Sequence, residues 1–135
     1  MKVTGQCHCG QIAYEAEVDP GTVRVCHCTD CQRLTGTAFR TNIASLPGTF
    51  LLTRGTPKIY IKTAESGNKR AHAFCPECGG PIYATSPEPA PQSYGLRVGN
   101  IDQRAALSAP ARQGWCRSAL PWSMDISGVP RSERG

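Results

Sequence analysis

Apolar and polar residues alternate in short runs along this chain. In Ile12–Val18, the residues Ile12, Tyr14, Ala16 and Val18 fall on one face of a period-two pattern, which predicts a half-buried strand. Asp19-Pro20-Gly21 then turns the chain, and Thr22–Cys26 reads as a second strand that delivers Cys26 into a cysteine-rich loop. A short helical turn is expected after Cys28, starting near Thr29 or Asp30. Further short strands are expected at Ala38–Ile43, Thr49–Leu52, Lys58–Thr63, Lys69–Phe74, Pro81–Thr85 and Ser93–Val98. Glu65-Ser66-Gly67-Asn68 suits a hairpin turn, and Ser86-Pro87-Glu88-Pro89-Ala90-Pro91 a rigid surface loop. Many short strands separated by turn signals predict an all-β fold. No repeat or linker divides it, so one domain is expected over residues 3–126, with a frayed tail at 127–135.

Composition sharpens this picture. The chain has 135 residues, of which 39% are hydrophobic and 7% aromatic, against 14 Gly and 11 Pro. That balance is rich in turns and poor in core, and it argues against a helical bundle. No apolar run approaches the roughly 20 residues of a membrane helix, so no membrane association is expected. Eight cysteines in so short a chain imply that something besides hydrophobic burial holds the fold together.

Those cysteines imply either a disulfide scaffold or a metal protein. The opening Met1-Lys2-Val3-Thr4-Gly5-Gln6-Cys7 has no apolar signal-like region, so the expectation is a reducing, cytoplasmic compartment. Spacing then favours metal. Cys7-x-Cys9, Cys26-x-Cys28-x-x-Cys31 and Cys75-x-x-Cys78 each aim several sulfurs at one centre, which suits zinc. In a strand-like C-x-C, Cys7 and Cys9 would share a face. In Cys75-Pro76-Glu77-Cys78-Gly79-Gly80, the glycines after the second cysteine permit positive φ and close approach of backbone N–H groups to sulfur. Joining these two pairs would make a closed site of four thiolates that staples the N-terminus to a distant hairpin. The competing reading is a set of buried free thiols.

Cys26, Cys28 and Cys31 offer three ligands from one loop, and a catalytic zinc keeps three protein ligands plus an open position. Three thiolates donate much charge and leave the metal a weak Lewis acid but a thiophilic one. Chemistry on thiols or thiol adducts is therefore favoured over simple hydrolysis. The alternative is a second closed site whose fourth ligand comes from Cys116, or less readily from His27, His8 or His72. Cys116, alone in Gly114-Trp115-Cys116-Arg117, is expected to be a small buried hydrophobe. His8 and His27 lie between ligands and are expected to point away from the metal, to solvent or backbone. His72 is expected on a strand near the four-thiolate site.

These residues carry a resemblance. Gly5-Gln6-Cys7-His8-Cys9-Gly10-Gln11-Ile12-Ala13-Tyr14, Cys26-His27-Cys28-Thr29-Asp30-Cys31-Gln32-Arg33-Leu34-Thr35-Gly36 and Phe74-Cys75-Pro76-Glu77-Cys78-Gly79 resemble, in order, three motifs of one family. It is the glutathione-dependent formaldehyde-activating enzyme family, which includes centromere protein V. Val98-Gly99-Asn100-Ile101-Asp102 and Ser118-Ala119-Leu120-Pro121-Trp122 are also similar to family segments. The resemblance implies a β-tent fold of small antiparallel sheets with two zinc ions per chain. It implies a structural zinc on Cys7, Cys9, Cys75 and Cys78, and a catalytic zinc on Cys26, Cys28 and Cys31. The implied activity is that of a carbon–sulfur lyase, joining glutathione and formaldehyde as S-hydroxymethylglutathione. Where members often carry a His-Ile-aromatic run, this chain reads Gln113-Gly114-Trp115 and has no histidine.

Charge changes the picture last. The formal net charge is +5. With seven cysteines as thiolates around two zinc ions it falls to about +2. The basic residues are scattered, which argues against nucleic acid as a partner. Arg33, Arg40, Arg97 and Arg117, with the pair Lys69-Arg70, are candidates to hold the carboxylates of a peptide-like thiol such as glutathione, although a solvated surface role is the default for any one of them. Trp115 and Trp122 can line a pocket, with burial in the core as the default. Rival readings are a noncatalytic zinc-stabilised module binding protein or nucleic acid, and a metal or redox buffer built on the triplet.

Overall fold

The alternating runs become two sheets with the core between them. The computed structural model describes residues 1–135. Its strands are β1 (Lys2–Gln6), β2 (Ala13–Glu17), β3 (Arg24–Cys26), β4 (Arg40–Ala44), β5 (Leu51–Arg54), β6 (Lys58–Thr63), β7 (Lys69–Phe74), β8 (Pro81–Thr85), β9 (Gly95–Arg97) and β10 (Arg112–Gly114). The α-helix is α1 (Thr29–Thr35), starting where the sequence places a helical turn. A three-stranded sheet runs β1-β2-β5, and a seven-stranded sheet runs β10-β3-β4-β9-β8-β7-β6. The fold is all-β in one unit, and no helix is long and apolar enough to cross a membrane.

Period-two alternation fixes which face of the large sheet meets the core. Ile43, Ala73, Tyr83 and Leu96 point one way and join Val3, Tyr14 and Ala16 of the small sheet in one apolar cluster. Burying a large aliphatic or aromatic side chain of this kind contributes roughly 1.5–3 kcal/mol. Phe50 closes the cluster edge, stacked on Tyr94 at 4.0 Å between ring centroids and edge-on to Tyr83 at 5.0 Å. Isolated bridges from Gly5 to Ile101 and from Val18 to Ser45 tie in the rims.

Two local findings depart from the expectations. β1 and β10 were not anticipated, and β10 pairs with β3 in parallel, the one parallel ladder in otherwise antiparallel sheets. The Cys7-x-Cys9 segment is a turn, not a strand. Its backbone folds back through Gly10 N–H donating to Cys7 O (3.1 Å) and Cys7 N–H donating to Ile12 O (3.0 Å), so Cys7 is buried and Cys9 exposed. Residues 127–135 contain no helix or strand.

Candidate metal centres and the cleft beside them

Two turns build the first centre. The β7–β8 connection closes through Gly79 N–H donating to Cys75 O and Cys75 N–H donating to Gly80 O, both at 2.9 Å. Gly79 sits at φ +72°, in the left-handed region. A Cβ on Gly80 would lie 3.3 Å from Cys78 Sγ and 3.5 Å from Cys7 Cβ, so the bare backbone is what lets the two turns close on each other. Opposite it stands the Cys7 turn, where Ile12 N–H donates to Cys7 Sγ at 3.3 Å. The sulfurs of Cys7, Cys9, Cys75 and Cys78 all lie within 4.8 Å of one another.

The spacing and chemistry of these donors fit a tetrahedral metal. Cys7 Sγ and Cys9 Sγ are 3.6 Å apart, and Cys9 Sγ and Cys75 Sγ 3.7 Å. Four sulfurs at about 2.3 Å from a zinc would stand about 3.8 Å apart. The protons tell the same story. Backbone N–H groups of Cys9 and Gly80 pull the Cys78 thiol down to about 6. Cys9, though exposed, is pushed up to about 12: the N–H of Gln11 favours its thiolate, but partial desolvation and the three neighbouring sulfurs outweigh it. Crowded thiols oppose one another's ionisation, and a cation bound among them would allow four thiolates together.

The second centre is local. Cys26 ends β3, Cys28 is the N-cap of α1, and Cys31 lies in the first turn of that helix. Cys28 Sγ accepts the Cys31 N–H at 3.3 Å. Burial disfavours the Cys28 thiolate, yet that N–H and the neighbouring thiols bring its pKa down, whereas burial and the two other sulfurs push Cys31 up to about 12. The three sulfurs lie within 4.8 Å of one another, and no fourth His, Cys, Asp or Glu joins them. Gln32 braces the loop, its Nε2 donating to His27 O and Ser118 O, both at 2.9 Å. Both cysteine groups can hold a metal ion.

The other candidates divide. Cys116 is exposed rather than buried and stands outside the triplet, so it closes neither centre. His27 is buried rather than solvent-facing, with Nε2 2.7 Å from Gln113 Oε1. His8 is exposed, as expected. His72 is a strand residue, but its ring lines the cleft beside the triplet, with Cys26 and Cys31. Trp115, 49% exposed, forms part of that cleft's wall, and Trp122 is exposed too; neither is core.

This cleft, of about 260 Å³, has Arg40, Arg70 and Arg97 in its lining, together with Arg24, Lys62 and Arg112, which the sequence did not single out. Arg33 and Lys69 are exposed outside it, and Arg117 borders a neighbouring cavity beside Cys28, with its guanidinium 5.2 Å from the Trp115 ring centre. Register explains the gathering. Arg112 faces Arg24, Arg24 faces Asn42, and Asn42 faces Arg97, so one row crosses four strands on the face opposite the core. Cys26 faces Arg40 one step along the same face. Arg97 donates to Asn42 Oδ1 at 2.6 Å and lies 3.2 Å from His72 Nδ1. Burial, then Arg97, Arg40, Lys62 and Arg70, hold His72 down to about 4, so the ring is neutral at pH 7 and accepts from Arg97.

A family model described as glutathione-dependent formaldehyde-activating enzyme matches residues 2–118. Among solved structures, a Rhodobacter sphaeroides protein is similar in fold, with a TM-score of 0.59 and 22% identity over 79% of this chain and 97% of that one. No curated protein gives a significant match.

Proposed function

This chain belongs to the glutathione-dependent formaldehyde-activating enzyme family, and from that premise we propose that it is a zinc-dependent carbon–sulfur lyase acting in the cytoplasm. Its substrates are a small thiol, with glutathione as the type, and formaldehyde or a related aldehyde. Two zinc ions per chain serve it: one held by Cys7, Cys9, Cys75 and Cys78 for structure, one by Cys26, Cys28 and Cys31 for catalysis. Residues 3–126 form the working domain and 127–135 a tail beyond it.

The observation that carries this reading is the contrast between the two groups. Four sulfurs close on themselves, whereas three stand together beside a cationic cleft with no fourth protein ligand. When bound at the triplet, zinc supplies a thiophilic Lewis acid that favours the deprotonated form of a thiol. The chain's own residues supply the rest. Cys28 at the helix N-cap and Cys26 at a strand end are fixed by regular backbone, so the donor set is preorganised. Lys62 is held at 2.8 Å by Asp30, which positions a cation at the cleft edge. Trp115 walls one side against water. In the net reaction, the thiol sulfur bonds to the aldehyde carbon, the carbonyl π pair moves to oxygen, and the thiol proton ends on that oxygen by way of solvent. Nothing is oxidised or reduced. His72, neutral and engaged with Arg97, orients that guanidinium and takes part in no proton transfer in this scheme.

The test is adduct formation from formaldehyde and glutathione followed by NMR with metal-loaded protein. Acceleration over the uncatalysed reaction, lost in Cys28→Ser while the fold survives, is the expected result. No acceleration with glutathione or other small thiols refutes the reading and leaves the noncatalytic module.

A further inference from the structure

Two guanidinium groups on the cleft floor are buried without the partners such groups need. Arg40 is 4% exposed and Arg97 7%. Arg40 Nε and Nη1 and Arg97 Nε are buried and have no hydrogen-bond partner. Burying a charge is costly unless it is paired and hydrogen-bonded, yet no Asp or Glu lines the cleft. Arg97 has only the neutral acceptors Asn42 Oδ1 and His72 Nδ1. The surrounding sheet adds to the cost. Arg112 stands directly across from Arg24, and Lys62 across from Arg70, and like charges at such cross-strand positions destabilise a sheet. Only Lys62 has a carboxylate partner, Asp30. Three cysteine thiolates with a divalent metal would carry a net charge of about −1, too little to balance this field.

We propose that Arg40 and Arg97 form a carboxylate-binding subsite on the floor of the cleft, so that one of the two reactants is a small acid whose carboxylate lies close to its reacting atom. A guanidinium presents a planar fork of donors that matches a carboxylate, and both Arg40 and Arg97 line the cleft. The cleft's volume of about 260 Å³ lies below the roughly 300–1,000 Å³ of sites for drug-sized ligands and favours a compact acid. Two sources share this chemistry: a mercapto acid in place of a larger thiol, or a 2-oxo acid bearing an aldehyde in place of formaldehyde. The inference deepens the reading of the same site as a thiol–aldehyde centre and rests on it for the identity of the reactants.

Binding, not turnover, tests it. Calorimetric titration of the metal-loaded protein compares mercaptoacetate with its methyl ester, and glyoxylate with its methyl ester. In one of the two pairs the acid is expected to bind at least about tenfold more tightly than the ester, and that pair names the reactant carrying the carboxylate. The preference should fall to near unity in Arg40→Gln and in Arg97→Gln, with ester binding and zinc content retained. No acid preference in either pair overturns the proposal even if neither variant folds. So does a preference that survives in both variants, since carboxylate chelation of the metal would then explain it. Absence of turnover with an intact acid preference would refute the lyase reading and leave the subsite standing.

Discussion

Replacing one sulfur in each centre should have very different effects on stability. In Cys75→Ser the four-sulfur staple loses a ligand. That staple joins two turns whose nearest cysteines, Cys9 and Cys75, are 66 residues apart. Treated as a cross-link, closing a loop of that length removes unfolded-chain entropy equivalent to about 4 kcal/mol. This is a large part of the roughly 5–15 kcal/mol by which domains are stable. With an unfolding entropy near 2.1 cal/mol/K per residue over 135 residues, it lowers Tm by about 15 °C. In Cys28→Ser the lost cross-link spans only the short segment from Cys26 to Cys31, for which the same relation gives about 2 kcal/mol as an upper bound. β3 and α1 already order that segment, and serine retains the N-cap role of Cys28 toward the Cys31 N–H. The expected drop is under about 7 °C. Scanning calorimetry on zinc-loaded wild type and both variants, with zinc measured in each sample, gives the comparison. Equal drops, or a larger one for Cys28→Ser, would refute the division into a structural and a chemical centre.

Three further outcomes follow from the same geometry. His72 is held to about 4 against an ordinary 6.5, so below pH 6.5 the unfolded chain takes a proton that the native ring refuses. Its contribution makes stability fall as pH drops from about 6.5 toward 4, by about 1–2 kcal/mol once the ring's partial exposure is discounted; denaturant titrations of His72→Gln at equal zinc loading should show a shallower decline, and an identical slope would count against the assignment. Trp115 holds a left-handed φ of 57°, so Trp115→Gly should leave stability within about 0.5 kcal/mol, strain relief offsetting glycine's entropy cost, while weakening small-thiol binding measured by calorimetry. Gly80→Ala places a Cβ 3.3 Å from Cys78 Sγ, and competition with a chromogenic chelator should show the tighter zinc weakened by about tenfold, with the triplet's zinc unchanged.

The sequence carried much of this structure because its signals are local. Strands β6, β7 and β8 begin and end where alternation and turn residues place them. β1 and β10 went unread because Lys2–Gln6 has a single strongly apolar residue, Val3, and Arg112–Gly114 none; both are held by their partners rather than by pattern. Cysteine spacing was enough to separate a group of four from a group of three, since paired sulfurs must converge. It misjudged the conformation of Cys7-x-Cys9, because a turn rigidified by its own N–H···S bond presents two sulfurs as well as a strand does. The cationic row Arg112, Arg24, Asn42, Arg97 was invisible, because it exists only through the register of four strands far apart in the chain. Cys116 looked like a core thiol by residue type, but the turn after Trp115 carries it to the surface.

The central claim is that seven cysteines form two centres of unequal closure. Zinc counted in the purified chain before and during exposure to a mild chelator tests it most directly. Two zinc ions per chain are predicted, with one leaving early while the fold persists and only the resistant one present in Cys28→Ser. A single zinc, or two equally resistant ones with the Cys116 thiol protected from alkylation, would contradict the account.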